Sequence, residues 1–233
     1  MDKVFTSVDE AVKDIPDGAS IAIGGFFTAG TPVHLIQALA RQGAKNLTII
    51  CQQMGPGNED MTKLVEQGQV KKAICNYPFY RSASKGANSP FEKAVRAGNI
   101  EVEVFPMGTF IEKMRAAGAG IAGFYTPTGV GTVVERGKEK KTFNGRPHLL
   151  ELALKPDYAF VYAWKGDRMG NLTYRKTARN YNPEMATAAK ITIASVEKVV
   201  EPGELDPDKV HTPGIYVQRV VEVPRRSYKP GID

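Results

Sequence analysis

Residues 17–32, DGASIAIGGFFTAGTP, set a turn and an apolar run ahead of Gly24, Gly25 and Gly30, and a proline follows at position 32. This is the layout of a buried strand entering a helix through a loop built for close approach. Glycine has no Cβ, so backbone amides in such a loop can come up to an anion or a developing oxyanion, and the helix opened by Pro32 adds its N-terminal dipole. A tight strand-to-helix turn without a ligand accounts for the same glycines, and the residues alone favour neither reading. At the carboxyl edge of a parallel sheet, however, such turns line the usual ligand crevice.

The remaining chemically suggestive residues are weaker signals. Gly118, Gly120 and Gly123 satisfy G-x-G-x-x-G, but they close an expected helix (109–117, headed by a Thr109–Glu112 capping box) instead of opening one, which argues against a dinucleotide fingerprint. His34 falls on an apolar helical stripe, His148 beside a strand and His211 in a Pro-rich loop, with no spacing suited to a metal. Cys51 and Cys75 lie in apolar β-like runs and read as reduced core thiols. Arg175, Arg179 and Asn180 form a basic, amide-bearing stretch that suits an interface more than a substrate, and Trp164 suits core or interface.

The elements that must position these residues alternate. Strands are expected at 20–23, 46–51, 70–75 and 100–105, with helices from Pro32 to a stop at Gly43, over 59–67, and over 89–97 behind a Ser89-Pro90 cap. This is the α/β signature: an open, mainly parallel sheet flanked by helices, its crossovers right-handed. In the second half strands follow one another at 132–134, 149–154 and 158–164, so a mixed or antiparallel part is expected, with a last helix at 183–189 and strands at 191–196 and 215–223. No linker divides the chain. Residues 1–224 read as one domain and 225–233 as a flexible tail.

Composition narrows the classes. The 233 residues are 42% hydrophobic, enough for a sizeable core, and no run approaches the roughly 20 apolar residues of a membrane span. No leader-like segment opens the sequence, so a cytoplasmic protein is expected. A net charge of +6 admits a polyanionic partner. The KEKK run at 138–141 nevertheless reads as a solvated hairpin tip, and with no aromatic-interleaved basic motif a nucleic-acid partner is not expected.

The run DG-x-x-I-A-I-GGF-x-x-x-G-x-P resembles the signature of A subunits of family I (3-oxoacid type) CoA-transferases. Residues 108–139 (GTFIEKMRAAGAGIAGFYTPTGVGTVVERGKE), 170–183 (GNLTYRKTARNYNP) and 211–221 (HTPGIYVQRVV) are similar to the same family in collinear order, so the likeness runs from about Lys3 to Val221. It implies an open α/β fold, no permanently bound cofactor, coenzyme A as substrate, and a B subunit that carries the nucleophilic glutamate in a Ser-Glu-Asn-Gly motif. That motif is missing here, and Glu204 is a poor substitute, so no catalytic nucleophile is expected in this chain. The resemblance assigns Gly24, Gly25, Phe26, Phe27, Thr28, Ala29 and Gly30 to CoA or acyl contact. It assigns Gln52, Gln53, Met107, Gly108, Gly118 and Gly120 to the acyl pocket. Gln52-Gln53 stands where such subunits carry Asn-Asn, and Met107 where they carry Gln, which loosens the expected acid specificity. A heterotetramer of two A and two B chains is implied. A non-catalytic binding or regulatory protein of the same fold is the alternative, and a sugar-phosphate isomerase the third.

Overall fold

A computed structural model describes residues 2–54, 59–79 and 89–225. The expected tail, apart from Arg225, lies outside these residues. The chain forms α1 (Val8–Val12), β1 (Ser20–Ile23), α2 (Val33–Gln42), β2 (Leu47–Gln53), α3 (Glu59–Glu66), β3 (Val70–Tyr77), α4 (Pro90–Arg96) and β4 (Glu101–Val104). Then come α5 (Met107–Gly118), β5 (Gly123–Thr126), β6 (Lys140–Phe143), β7 (Arg146–Leu152), β8 (Tyr158–Asp167), β9 (Leu172–Thr173), α6 (Asn182–Ala188), β10 (Ile191–Val200) and β11 (Arg219–Glu222).

The main sheet runs β11-β10-β8-β1-β2-β3-β4, parallel along this whole path, with β9 antiparallel on β8. Strands buried on both faces need consecutive apolar residues, and 21–23 of β1 and 49–51 of β2 supply them. One face packs Ile21, Ile23, Ile49 and Cys51 against Leu35, Leu39 and Leu64 of α2 and α3; the other packs Ala22, Ile50 and Ala159 against Phe110 of α5 and Met185 of α6. β1 sits at the point where the order reverses, β2 on one side and β8 on the other. In an open α/β sheet the crevice at such a switch point is the ligand site.

Local signals read from sequence hold where the local chemistry is strong. Gly43 closes α2 in the left-handed conformation (φ 87°), and the Ser89 hydroxyl accepts from the Glu92 amide to start α4. The expected mixed part is present as β9 antiparallel on β8 and as a separate antiparallel sheet, β5-β7-β6, while finer expectations differ. The strand expected at 132–134 is a 3-10 turn, Val133–Glu135, because the Thr132 hydroxyl caps Val134 and Gly129 and Gly131 take positive φ. α5 begins at Met107, not Thr109, and has no side-chain cap. The hairpin tip is Asn144-Gly145, both at positive φ, while Lys140 and Lys141 lie in β6 and Lys138 pairs with buried Glu151. β11 starts only at Arg219, since Pro213 opens a 3-10 turn over Gly214–Tyr216. His34 is only half-buried, its ring meeting the Pro224 carbonyl.

Candidate active site

The glycine loop leaves β1 at the switch point, and its conformation is dictated by what lies against it. A Cβ on Gly24 would stand 2.0 Å from the Asn182 side-chain oxygen; one on Gly25 (φ 108°), 2.5 Å from Thr31 Oγ1; one on Gly30 (φ 71°), 2.5 Å from the Ala178 carbonyl. Protein atoms therefore fill the space that the glycines leave. The loop meets its surroundings through its tip, a turn in which Phe26 and Ala29 exchange two backbone hydrogen bonds of 3.0 Å and Phe27 takes φ 51° with its side chain 45% exposed.

That tip is clamped from both sides of β1. From β2, Gln52 Oε1 accepts from the Phe27 amide (3.2 Å), and Thr31 Oγ1 donates to the Phe27 carbonyl (3.0 Å). From the N-terminus of α6, Asn180 Nδ2 donates to the Ala29 carbonyl (2.9 Å) and Asn182 Nδ2 to those of Gly30 (3.1 Å) and Ala178 (2.9 Å). Asn182 Oδ1 accepts from the Tyr162 amide of β8. Tyr181 lies edge-on to Phe26 at 6.0 Å and near Phe110 at 6.1 Å, and its phenol is pushed up to about 12 by burial, with Tyr77 adding to it. Sequence reasoning missed Asn182 and Tyr181 as loop supports. About 150 positions separate them from the loop, and only the folded sheet brings the two together.

Gln52 and Gln53 are almost fully buried, and neither Nε2 has a hydrogen-bond partner among the described residues. They line a small cavity with Gly24, Gly25, Phe27 and Thr31. A buried amide with an unmet donor is costly, so these two donors are open to an oxygen acceptor, a water or a ligand group. Met107 and Gly108 lie in the first turn of α5 and line neither this cavity nor the cleft described below. Gly118 and Gly120 are at the other end of that helix, about 16 Å away at 1.5 Å per residue, where Gly118 packs on Thr187 and Gly120 turns the chain at φ 72°. The structure thus gathers residues 24–30 with Gln52 and Gln53, while Gly118 and Gly120 lie at the far end of α5.

A larger cleft, about 460 Å3, opens on the β8 side of the loop, lined by residues 28–31, Tyr162, Trp164, Arg175, Lys176, Glu197 and Arg225 among others. Glu197 is the one carboxylate among the residues lining the two sites, and it is occupied: the Arg175 Nη2 donates to both its oxygens (3.0 and 3.1 Å) and the Tyr162 hydroxyl donates to one (2.9 Å). The thiols offer no alternative nucleophile. Burial and the neighbouring Cys75 raise Cys51, and burial pushes Cys75 up to about 12, so both stay protonated near neutrality. Glu204 lies exposed in a surface turn, where it accepts from the Glu201 amide. Among the described residues no three His, Cys, Asp or Glu side chains gather to hold a metal.

Comparison with known proteins places the chain in a family. The coenzyme A transferase family model matches residues 5–223. This chain belongs to that family. It is 50% identical, over 95% of its length and 90% of the relative's, to the A subunit of a probable succinyl-CoA:3-ketoacid coenzyme A transferase of Bacillus subtilis (strain 168). It is 48% identical, over 96% of its length and 94% of the relative's, to the A subunit of a 3-oxoadipate CoA-transferase of Pseudomonas putida. Among solved structures, the acyl-CoA transferase of E. coli O157:H7 (YdiF), in a thioester complex with CoA, superimposes with a TM-score of 0.83 at 26% identity. The match covers 99% of this chain but 49% of that one, so the chain spans about half of the E. coli protein.

Proposed function

We propose that this CoA-transferase chain is an A subunit that completes its active site with a B subunit, and that it moves CoA between succinyl-CoA and a short 3-oxo acid. Residues 1–224 act as one unit in a heterotetramer of two A and two B chains in the cytoplasm; no helix among the described residues is long and apolar enough to cross a membrane. In this reading a glutamate from the B chain attacks the thioester carbonyl, the C–S bond breaks, and CoA thiolate leaves an acyl-glutamyl anhydride. The thiolate then attacks the glutamyl carbonyl, expelling the first acid as carboxylate and forming a glutamyl-CoA thioester. The incoming acid repeats the two steps in reverse. Each addition puts negative charge on a carbonyl oxygen, and the unmet Nε2 donors of Gln52 and Gln53 are the groups this chain offers to it. The loop tip, residues 26–29, closes over the acyl group.

The observation that carries this reading is the pairing of two orphaned buried donors with the lack of any free carboxylate in either lining. The chain is purified alone and with its B partner, and acetoacetate-dependent turnover of succinyl-CoA is measured. The expected result is no turnover by the single chain and turnover on mixing; equal rates in both would overturn the assignment. In the mixed enzyme Gln52→Leu should lower kcat by about a hundredfold, the usual cost of one transition-state donor.

A further inference from the structure

The loop tip is held at Ala29 and Gly30 by Asn180 and Asn182, but the segment that leads those two asparagines to it, from residue 174 onward, has little structure of its own. It follows the two-residue β9, makes a 3-10 turn over Lys176–Arg179 in which no residue is buried, and takes positive φ at Lys176. Its first residue is fixed by His211. The His211 Nδ1 accepts from the Tyr174 amide (2.9 Å), the two rings stack at 5.9 Å, and the Tyr174 hydroxyl meets Thr212 Oγ1 (2.9 Å). His211 is fixed in turn, since its own amide and that of Thr212 both donate to the Leu172 carbonyl. An Nδ1 that accepts from an amide carries no proton, so the ring stands as the neutral tautomer with its hydrogen on Nε2.

We propose that His211 is a positioning residue for the transferase reaction: as a neutral imidazole accepting from the Tyr174 amide it sets the segment that brings Asn180 and Asn182 onto the loop tip, and protonation unfastens that segment. The proposal rests on the transferase reading and gives its loop a pH dependence. A proton on Nδ1 does more than remove an acceptor, because it leaves two N–H donors head to head at the distance of one hydrogen bond. Among the described residues Arg179 is the charged group that bears on the ring; the Tyr174 phenol, raised by burial, stays neutral, and Glu184 of α6 bears on that phenol. Burial first, and then Arg179, hold the imidazole below its ordinary 6.5, so it is neutral at pH 7. The unfolded chain takes up the proton first, so stability falls as pH drops below 6.5, and the bond itself opens at the lower, folded value.

The test uses the assembled enzyme with His211→Asn, which keeps an acceptor on Cγ where histidine has Nδ1 but cannot titrate, and with His211→Phe, which keeps the ring and loses the acceptor. Turnover of succinyl-CoA is measured from about pH 8 down to about pH 5, and amide protection of Tyr174 and of residues 26–30 is followed over the same range. At the upper end His211→Phe should lower kcat about tenfold, the scale of one net hydrogen bond, and His211→Asn should recover most of that loss. On acidification the parent should lose kcat and the protection of Tyr174 and the loop along one curve with its midpoint below 6.5, and His211→Asn should lack that step. Parent-like kcat in His211→Phe, equal losses in the two variants, or an acid limb that His211→Asn leaves in place overturns the proposal. Should His211→Phe fail to assemble, the acid limb of His211→Asn decides alone. Failure of the transferase reading shows itself separately, as a parent enzyme that turns over no acyl-CoA at any pH, while protection of Tyr174 and the loop still reports the His211 bond.

Discussion

Asn182 is completely buried, yet its amide does three things: it donates to two carbonyls, Gly30 and Ala178, and accepts from the Tyr162 amide. Its oxygen also occupies the place of a Gly24 side chain, 2.0 Å from where a Cβ would stand. Glycine at 24 and asparagine at 182 are therefore one device. Asn182→Asp keeps the acceptor but turns a carboxylate toward two carbonyls, and should cost about 2–4 kcal/mol, read as a fall in Tm, with loss of turnover in the assembled enzyme. Gly24→Ala alone should also destabilise, by about 1–3 kcal/mol, since backbone or Asn182 must shift. In an Asn182→Ala background the clash disappears, so the same substitution should cost much less. A double-mutant cycle with purely additive effects would show that the two residues are not coupled.

At the scale of elements, Asp157 fastens the start of β8 to the start of β1 and to the segment that enters β10. Its Oδ2 accepts from the Ser20 amide (3.0 Å) and hydroxyl (2.6 Å), and its Oδ1 from Lys190 (2.7 Å). The Lys190 bond and then the Ser20 hydroxyl hold its carboxyl down at about 2, against an ordinary 3.8. A depressed carboxylate contributes its stability in full above about pH 4, and that contribution is lost as pH falls through about 2. Asp157→Asn should thus lower Tm at pH 7 by a few degrees, and the gap to the parent should close on acidification through that window; a constant gap would mean the carboxylate's charge contributes nothing. Much at this scale was legible in sequence because it is local: the strand, loop and helix around residues 20–42, the Gly43 stop and the Ser89 cap each depend on a few neighbouring residues. Gln52 and Gln53 came to the site through the family resemblance, and the pairing of β2 with β1 is what sets them beside the loop. The early start of α5 and the turn at Val133–Glu135 did not follow, since their sequences suit the expected alternatives and the surrounding fold decides. The grip of Asn180 and Asn182 was hidden by separation along the chain, which no periodicity can bridge.

Across the whole molecule, the small β5-β7-β6 sheet is a second layer, and one buried charge is part of its attachment to α5. Glu151, 1% exposed, is bonded by Lys113 of α5 at 3.0 Å and by Lys138, and both ammonium groups lie over the Phe105 ring at the end of β4, 4.4 and 5.2 Å from its centre. A buried ionic cluster of this kind adds little net stability over apolar packing, but removing one member leaves the others uncompensated. Glu151→Leu should accordingly cost about 3–5 kcal/mol, because Lys113 then stays buried without a counter-ion. Replacing all three, Lys113→Met, Lys138→Met and Glu151→Leu, should recover most of that loss. The two sheets share no strand, so the damage should be uneven. Amide exchange in Glu151→Leu should speed up over residues 123–152 while β1, β2 and β8 remain protected. Uniform loss of protection would mean that the small sheet and the main sheet unfold as one cooperative unit, with the Glu151 cluster as integral to the core as the strands around β1.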